Sequence, residues 1–251
     1  NWYVTGKNSD KISKSKGGAQ PIPGAAAKFG VDAMRLYYAH VASMFVDVEW
    51  SEDTVMTYRQ RVDRIIGAVQ DLIASESDSP RSGMDDWLIS RFNNHVASIR
   101  KVMEKNDLRA MATIVYFDMF NDMKWYNRRG GSNRDTVREA LSIWIQSMMP
   151  ITPHTAEELW EQAGFGGFVS AGQLPQPDES RMSASAEYGE NLIRDVMSDI
   201  TEIRKIAGIE PKRLIMYTSA QWKKDVMRMG AEMLSEGKLT VPELTKRCMP
   251  V

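Results

Sequence analysis

A short basic loop near the start of the chain holds the residues whose types and spacing suit catalysis. The segment Lys11–Gly18 alternates three lysines with two serines and ends in two glycines. Ammonium groups and small hydroxyl donors at this spacing can surround a polyphosphate, and the glycines let the backbone approach it closely. The predicted chemistry is stabilisation of the charge that builds on a leaving pyrophosphate. A solvated loop or a localisation signal is the alternative, and the spacing of a Walker loop is absent.

A second cluster, at residues 124–129, mixes cations with aromatic rings. Lys124, Trp125, Arg128 and Arg129 carry the groups that neutralise phosphates and stack on bases. We therefore predict these four residues as RNA contacts, together with Arg91 from the neighbouring helix. The alternative is ordinary: cations near a helix C-terminus complement the helix dipole, and Arg91 is equally suited to a solvated or structural role.

The composition limits the possible functions. The 251 residues carry 32 Lys and Arg against 33 Asp and Glu, which excludes a polybasic protein that binds through bulk positive charge. A single cysteine excludes an intrachain disulfide framework, and the three dispersed histidines lack zinc-ligand spacing. No apolar run reaches the roughly 20 residues that cross a bilayer. The sequence therefore predicts no metal site, no zinc, no membrane partner and a cytoplasmic location. The charge is uneven, since residues 121–138 are basic and residues 154–190 acidic.

Helical periodicity follows the loop and must position these groups. One apolar stripe behind the N-cap Ser51 comprises Val55, Tyr58, Val62, Ile65, Ile66, Val69, Leu72 and Ile73. Further stripes predict helices over 85–105, from the N-cap Asp107 to the stop at Gly130 and Gly131, over 137–148 and, behind Thr152 as N-cap, over 153–160. Trp87, Trp144 and Trp160 lie on these stripes and are expected in the core. Long helices with short connections indicate an antiparallel bundle.

Three motifs then resemble one family. Lys11–Ser15 resembles the K-M-S-K-S signature of class I aminoacyl-tRNA synthetases, and Gly30–Arg35 is similar to their downstream G-x-D-x-x-R. Met149–Trp160 resembles the P-x-x-P-H-x-x-E-E-L-W stretch of the helical anticodon-binding domain in the Leu/Ile/Val/Met subgroup. Asp32 and Arg35, three residues apart, are expected to pair and brace the loop. His154 is expected to pack or cap a helix.

Within the subgroup, the chain resembles most the leucyl-tRNA synthetases of the archaeal and eukaryotic type. This similarity is carried by Leu36–Tyr38, Val46–Ser51 and Asp86–Asn93, and after the bundle by Ile203–Lys205, Gly208–Lys212 and Trp222–Lys223. Ile12 replaces the usual Met of the signature, and nothing resembles the His-Ile-Gly-His motif, the leucine pocket or the editing domain. Since the chain also begins without Met, we expect a C-terminal fragment of a longer enzyme.

The resemblance implies a fold and a domain order. The fold is mainly α: a helical bundle of the anticodon-binding type, preceded by the signature loop and followed by a small α/β tail. Residues 1–50 would end the catalytic domain, 51–165 would form the bundle and 166–185 a linker. Residues 186–251 would start the tail domain. The residue pattern itself predicts a strand at 213–218.

The resemblance also implies site residues and partners. Lys14, supported by Lys11, would be catalytic, and Lys11, Ser13, Lys14 and Ser15 would bind ATP, which arrives with Mg²⁺. The parent would activate leucine and transfer it to tRNA(Leu), while the fragment alone would be inactive. The alternatives are the same region of an isoleucyl-, valyl- or methionyl-tRNA synthetase, or a non-catalytic helical module that binds RNA or protein.

Overall fold

The computed structural model describes residues 4–6, 12, 22–42, 47–208 and 210–248. The helices are α1 (Ile22–Phe29), α2 (Val31–Val41), α3 (Glu52–Ala74), α4 (Gly83–Glu104), α5 (Leu108–Thr113), α6 (Met119–Arg128), α7 (Arg134–Met148), α8 (Pro153–Gln162), α9 (Ala184–Ala207), α10 (Gln221–Ser235) and α11 (Val241–Cys248). A π-helical turn, Ile114–Asp118, joins α5 to α6, and 3-10 turns lie at Val169–Ala171 and Glu179–Arg181. The mainly helical fold predicted from the sequence is confirmed.

Two short parallel strands precede the bundle. The strand β1 (Val4–Thr5) pairs with β2 (Val48–Glu49), with Val4 opposite Val48. The ladder continues for one step, since Trp50 N donates to Thr5 O at 2.7 Å. The residue types of the opening segment, Asn1–Thr5, predict a strand, and its described residues Val4–Thr5 form one. Its partner could not be predicted, because it lies more than 40 residues along the chain on a two-residue segment.

Local capping explains where the long helices begin. The Ser51 side chain accepts from Thr54 N at 3.3 Å, and the Asp107 side chain accepts from Ala110 N at 3.0 Å. Both caps are as predicted, and each satisfies an amide that the helix leaves free. The helix α4 begins two residues earlier than expected, because Ser82 and Asp85 form a reciprocal capping box.

The main core lies where α4 meets α6 and α7, and a second buried cluster, which contains Phe29 and Tyr37, lies where α1 and α2 meet α3. The largest fully buried side chains are Trp87, Trp144, Tyr37, Tyr116, Tyr126, Phe29 and Phe92. Trp144 Nε1 donates to Val115 O at 2.8 Å, so its burial leaves no donor unpaired. The expectation that Trp87 and Trp144 are core residues is confirmed. Trp160 is half-buried, and its ring packs on Phe165 with centroids 4.4 Å apart.

The chain divides into two compact units, Asn1–Asp195 and Val196–Val251. In the second unit, α10 packs against α11, and Leu244 lies close to Gly230. The strand predicted at 213–218 is wrong: these residues have no strand or helix assignment and are exposed. A strand needs a ladder partner, and the described residues of this unit supply none, so β-prone side chains alone do not make one.

Candidate functional site

The four predicted ATP-contacting residues, Lys11, Ser13, Lys14 and Ser15, lie outside the described residues. The structure does describe Ile12, whose backbone N donates to Val4 O at 3.1 Å. The signature segment is therefore tied at Ile12 to the strand β1.

The carboxylate of Asp32 on α2 caps the N-terminus of α8. It accepts from Thr155 N at 2.6 Å, and its other oxygen lies 2.9 Å from His154 Nδ1. Thr152 occupies the N-cap position, as predicted, but its hydroxyl lies 2.7 Å from Tyr116 Oη and makes no capping bond. A carboxylate at a helix N-terminus complements the dipole, so Asp32 supplies from another helix what Thr152 does not.

Arg35 binds the same turn from one helical turn further on. Its Nε donates to Ile151 O at 2.7 Å and its Nη2 donates to Pro150 O at 3.0 Å. The expected pairing of Asp32 with Arg35 is therefore wrong. The first turn of α8 presents the Thr155 amide to the carboxylate, and the residues just before α8 present two carbonyls to the guanidinium. Two motifs more than 100 residues apart thus form one joint between α2 and the bundle.

Gly30 lets α2 start at this joint. Its φ of +83° lies in the left-handed region, and a Cβ there would lie 3.2 Å from Arg59 Nη1. Arg59 in turn donates to Phe29 O at 3.3 Å. A side chain at position 30 would therefore strain the backbone and crowd the guanidinium that holds the end of α1.

Three of the five predicted RNA contacts bind side chains of α9. We call Arg91, Trp125, Arg129 and the two α9 glutamates that bind them the closed face. Arg91 Nη1 lies 3.3 Å from Glu187 Oε2, and Arg129 Nε lies 3.0 Å from Glu190 Oε2. Trp125 Nε1 donates to the same Glu190 oxygen at 2.9 Å.

The charge of Glu190 is stabilised in this environment. Burial by itself would raise the pKa of Glu190, but hydrogen bonds from Arg129 and Trp125 lower it below its usual range. The cations of the closed face therefore have carboxylate partners within the same unit.

A buried carboxylate, Asp122, lies beneath the closed face. It accepts from Arg91 Nε at 2.9 Å and Arg194 Nη2 at 2.8 Å, and His95 Nε2 lies 2.9 Å away. Burial alone would raise the pKa of Asp122, but the His95 hydrogen bond, the Arg91 charge and the Arg194 hydrogen bond lower it to about 2. Sequence spacing does not reveal this network, because its members come from α4, α6 and α9.

A family model for the anticodon-binding domain of tRNA ligase matches residues 85–217, more than half of the chain. The chain belongs to this family. The match covers α4 to α9, which carry the closed face and the turn that Asp32 and Arg35 bind.

Relatives match along nearly the whole chain. The leucine–tRNA ligase of Methanococcoides burtonii is 33% identical over 95% of this chain and 25% of its own length. That of Methanocaldococcus jannaschii is 36% identical over 97% of this chain and 26% of its own. The chain thus spans about a quarter of the length of these relatives.

A solved structure shares the fold at low identity. The ternary complex of Agrobacterium radiobacter K84 LeuRS, tRNA and LeuAMS matches with a TM-score of 0.62 and 21% identity. The match covers 73% of this chain and 24% of that one.

The remaining RNA-contact candidates of this anticodon-binding domain are exposed. Lys124 Nζ lies 5.6 Å from the Phe120 ring centroid, and the Arg128 guanidinium lies 5.8 Å from that of Trp125. Neither cation forms an ion pair with a carboxylate in the part of the chain that the structure describes. Three of the five predicted RNA contacts therefore lie on the closed face, and the other two, Lys124 and Arg128, have no carboxylate partner among the described residues. All five stay predictions.

Among the described residues, no group of three or more His, Cys, Asp or Glu side chains could hold a metal ion. Within the same ranges, no helix combines the length and apolarity needed to span a membrane.

Proposed function

We propose that this chain is the part of a leucine–tRNA ligase that carries the signature loop and the tRNA-docking bundle. The observation that carries the proposal is the match of leucine–tRNA ligases along 95% and 97% of the chain. The parent enzyme would join leucine to ATP, giving leucyl-adenylate and pyrophosphate, and then transfer leucine to the terminal ribose of tRNA(Leu). It would act in the cytoplasm.

In this proposal the signature loop acts on the phosphates of ATP. Lys14, assisted by Lys11, stabilises negative charge as pyrophosphate leaves, and Ser13 and Ser15 donate hydrogen bonds to the nucleotide. Mg²⁺ accompanies ATP and shares in neutralising the phosphates. The joint of Asp32 and Arg35 with residues 150–155 ties α2, the second helix after the loop, to the bundle, and we propose that it supports the loop from that side.

The bundle supplies the tRNA-binding part of the function. The family description and the shared fold with a synthetase crystallised with tRNA support this role. Specificity for leucine itself would come from a pocket for which no residue of this chain is a candidate.

Pyrophosphate exchange by the full-length parent tests the proposal. Lys14→Ala is expected to slow leucine-dependent exchange 10-fold or more, because one transition-state contact is worth roughly 1.4 kcal/mol or more. Lys28→Ala is the matched control: it removes a lysine on α1 that pairs with Glu52 outside the loop. Unchanged exchange by Lys14→Ala would remove Lys14 from its role.

The isolated 251-residue chain provides a second test. It is expected to show no exchange, since it carries no candidate for the amino-acid pocket. Measurable exchange by this chain alone would contradict the assignment of its role.

A further inference from the structure

A second cationic surface lies on α3, α5 and α6. Arg61, Arg64, Arg109 and Lys124 form what we call the open face. Arg64, Arg109 and Lys124 are exposed and Arg61 is half-buried. None of the four forms an ion pair with a carboxylate among residues 22–42, 47–208 and 210–248. Arg109 instead donates to the carbonyl of Val41 at the end of α2.

Aromatic rings connect these cations into one surface. The Arg61 guanidinium lies 4.3 Å from the Phe117 ring centroid and 5.6 Å from that of Phe120. Lys124 approaches the same Phe120 ring at 5.6 Å. Both cations therefore contact one ring, which brings a positive charge from α3 and one from α6 to the same part of the bundle.

The electrostatics agree with this geometry. Burial lowers the pKa of His40, and the nearby charges of Arg109 and Arg61 lower it further. Burial and the charge of Arg64 likewise lower the pKa of Arg61. Arg64 therefore acts on Arg61, and Arg61 and Arg109 act on His40, while no carboxylate contributes to either pKa shift.

Like charges held together without counterions destabilise a surface unless a polyanion binds there. The closed face shows the contrast, since Glu187 and Glu190 neutralise its arginines from within. The open face keeps its positive potential for a partner. Nucleic-acid backbones are attracted to such a surface, and bound counterions are released as they dock.

The aromatic rings of the open face already contact other side chains of the protein. His40 stacks on Phe117 with centroids 4.9 Å apart, and Arg61 lies over the same ring. Phe120 is only 8% exposed. An unstacked base would therefore find no free ring, and the chemistry that remains is contact with phosphate.

We infer that the open face binds the sugar-phosphate backbone of the tRNA, without reading its bases. This inference rests on the proposed function. It assigns docking to Arg61, Arg64, Arg109 and Lys124, of which only Lys124 belongs to the basic-aromatic run in the sequence.

Binding of a tRNA(Leu) transcript to the 251-residue chain tests the inference, with fluorescence anisotropy at 50 to 200 mM salt. The variant is Arg64→Gln/Lys124→Gln, because both side chains are exposed and lose no ion pair. At about 100 mM salt its Kd is expected to be about 10-fold weaker or more, and the salt slope to fall by about 1 for each lost phosphate contact. A tRNA of another sequence should lose affinity equally, since no base is read.

Arg81→Gln/Arg228→Gln is the matched control. It removes the same net charge from exposed arginines that pair with Asp86 and Asp225. Its Kd should stay within about 2-fold of the wild-type value, because these arginines already have carboxylate partners.

The outcomes separate the inference from the proposed function. Wild-type binding with an unchanged Kd and salt slope for Arg64→Gln/Lys124→Gln would overturn the open face alone. An equal loss in the control pair would also overturn it, since bulk charge would then explain the effect. No binding by the wild-type chain would overturn both the open face and the docking role. Circular dichroism should show both double variants folded.

Discussion

The open and closed faces contain similar side chains and differ in their counterions. Both place arginines over aromatic rings: Arg61 over Phe117 on the open face, and Arg194 over Trp125 at the closed one. Only the closed face receives carboxylates from α9. A run of cations and aromatic residues therefore does not by itself identify a nucleic-acid site, because a distant acidic segment can neutralise it.

The structure explains part of the charge balance that makes the net charge of the chain nearly zero. The acidic residues at 154–190 include Glu187 and Glu190, which neutralise arginines of the bundle. The open face has no such segment among the described residues, so its charge is unbalanced locally while the whole chain is balanced. The comparison predicts that the stability of the closed face depends on its carboxylates. It also predicts that the affinity of the open face for tRNA depends on salt concentration.

The largest effect is expected from Asp122→Asn. This substitution keeps the shape of the side chain but leaves Arg91, Arg194 and His95 without their shared carboxylate. Breaking a buried ion pair from one side costs about 3 kcal/mol. Urea unfolding measures the loss, with the exposed Asp135→Asn as a control expected to change stability by about 0.5 kcal/mol or less. Equal midpoints for the two variants would show that the closed face does not depend on its buried acid.

The pH dependence of stability gives an intermediate effect. The folded-state pKa of Asp122 is lowered to about 2 from an ordinary value of 3.8, so the unfolded state takes up the proton first as pH falls. The contribution is therefore complete above about pH 5 and is lost as pH falls through about 2. It amounts to about 2 kcal/mol, and the stability gap between wild type and Asp122→Asn should narrow by that amount on acidification. A gap that stays constant down to pH 2 would contradict the assignment.

The smallest effect is expected from Glu190→Gln, which turns part of the closed face into an open one. Arg129 and Trp125 lose a charged acceptor, at a cost of about 1 kcal/mol in unfolding free energy. The freed arginine should strengthen tRNA binding by a few fold at low salt, because its charge is no longer neutralised. Glu236→Gln, which removes an exposed carboxylate paired with Lys238, is the matched control. Equal affinities for the two variants would break the comparison between the faces.

The sequence predicts those features that depend on a few neighbouring residues. Ser51 and Asp107 cap helices through bonds that span three residues, so local spacing reveals them. Asp32 and Arg35 also have suggestive spacing, yet their partners lie more than 100 residues away. Local spacing offers the wrong partner there, because the packing of α2 against the start of α8 brings backbone groups of residues 150–155 to both side chains.

The candidate sites follow the same rule. All residues of the Lys11–Ser15 motif lie in one short segment, so the sequence alone reveals the motif. Its contacts with ATP remain a prediction. The open face takes its cations from α3, α5 and α6, and no window of the sequence shows them together. The acids of the closed face are hidden for the same reason, since α9 is about 60 to 100 residues from the arginines it binds.

The π-helical turn Ile114–Asp118 has a consequence for how this domain can change in evolution. Such a turn holds one residue more than an α-helical turn would, so α6 is rotated by about 100° from where an unbroken helix would place it. That rotation directs Asp122 towards His95 while Phe120 lies under Arg61. Deleting a single residue from the turn would shift both faces at once. Point substitutions can remodel either face, but the length of this turn must be inherited unchanged for the two to coexist.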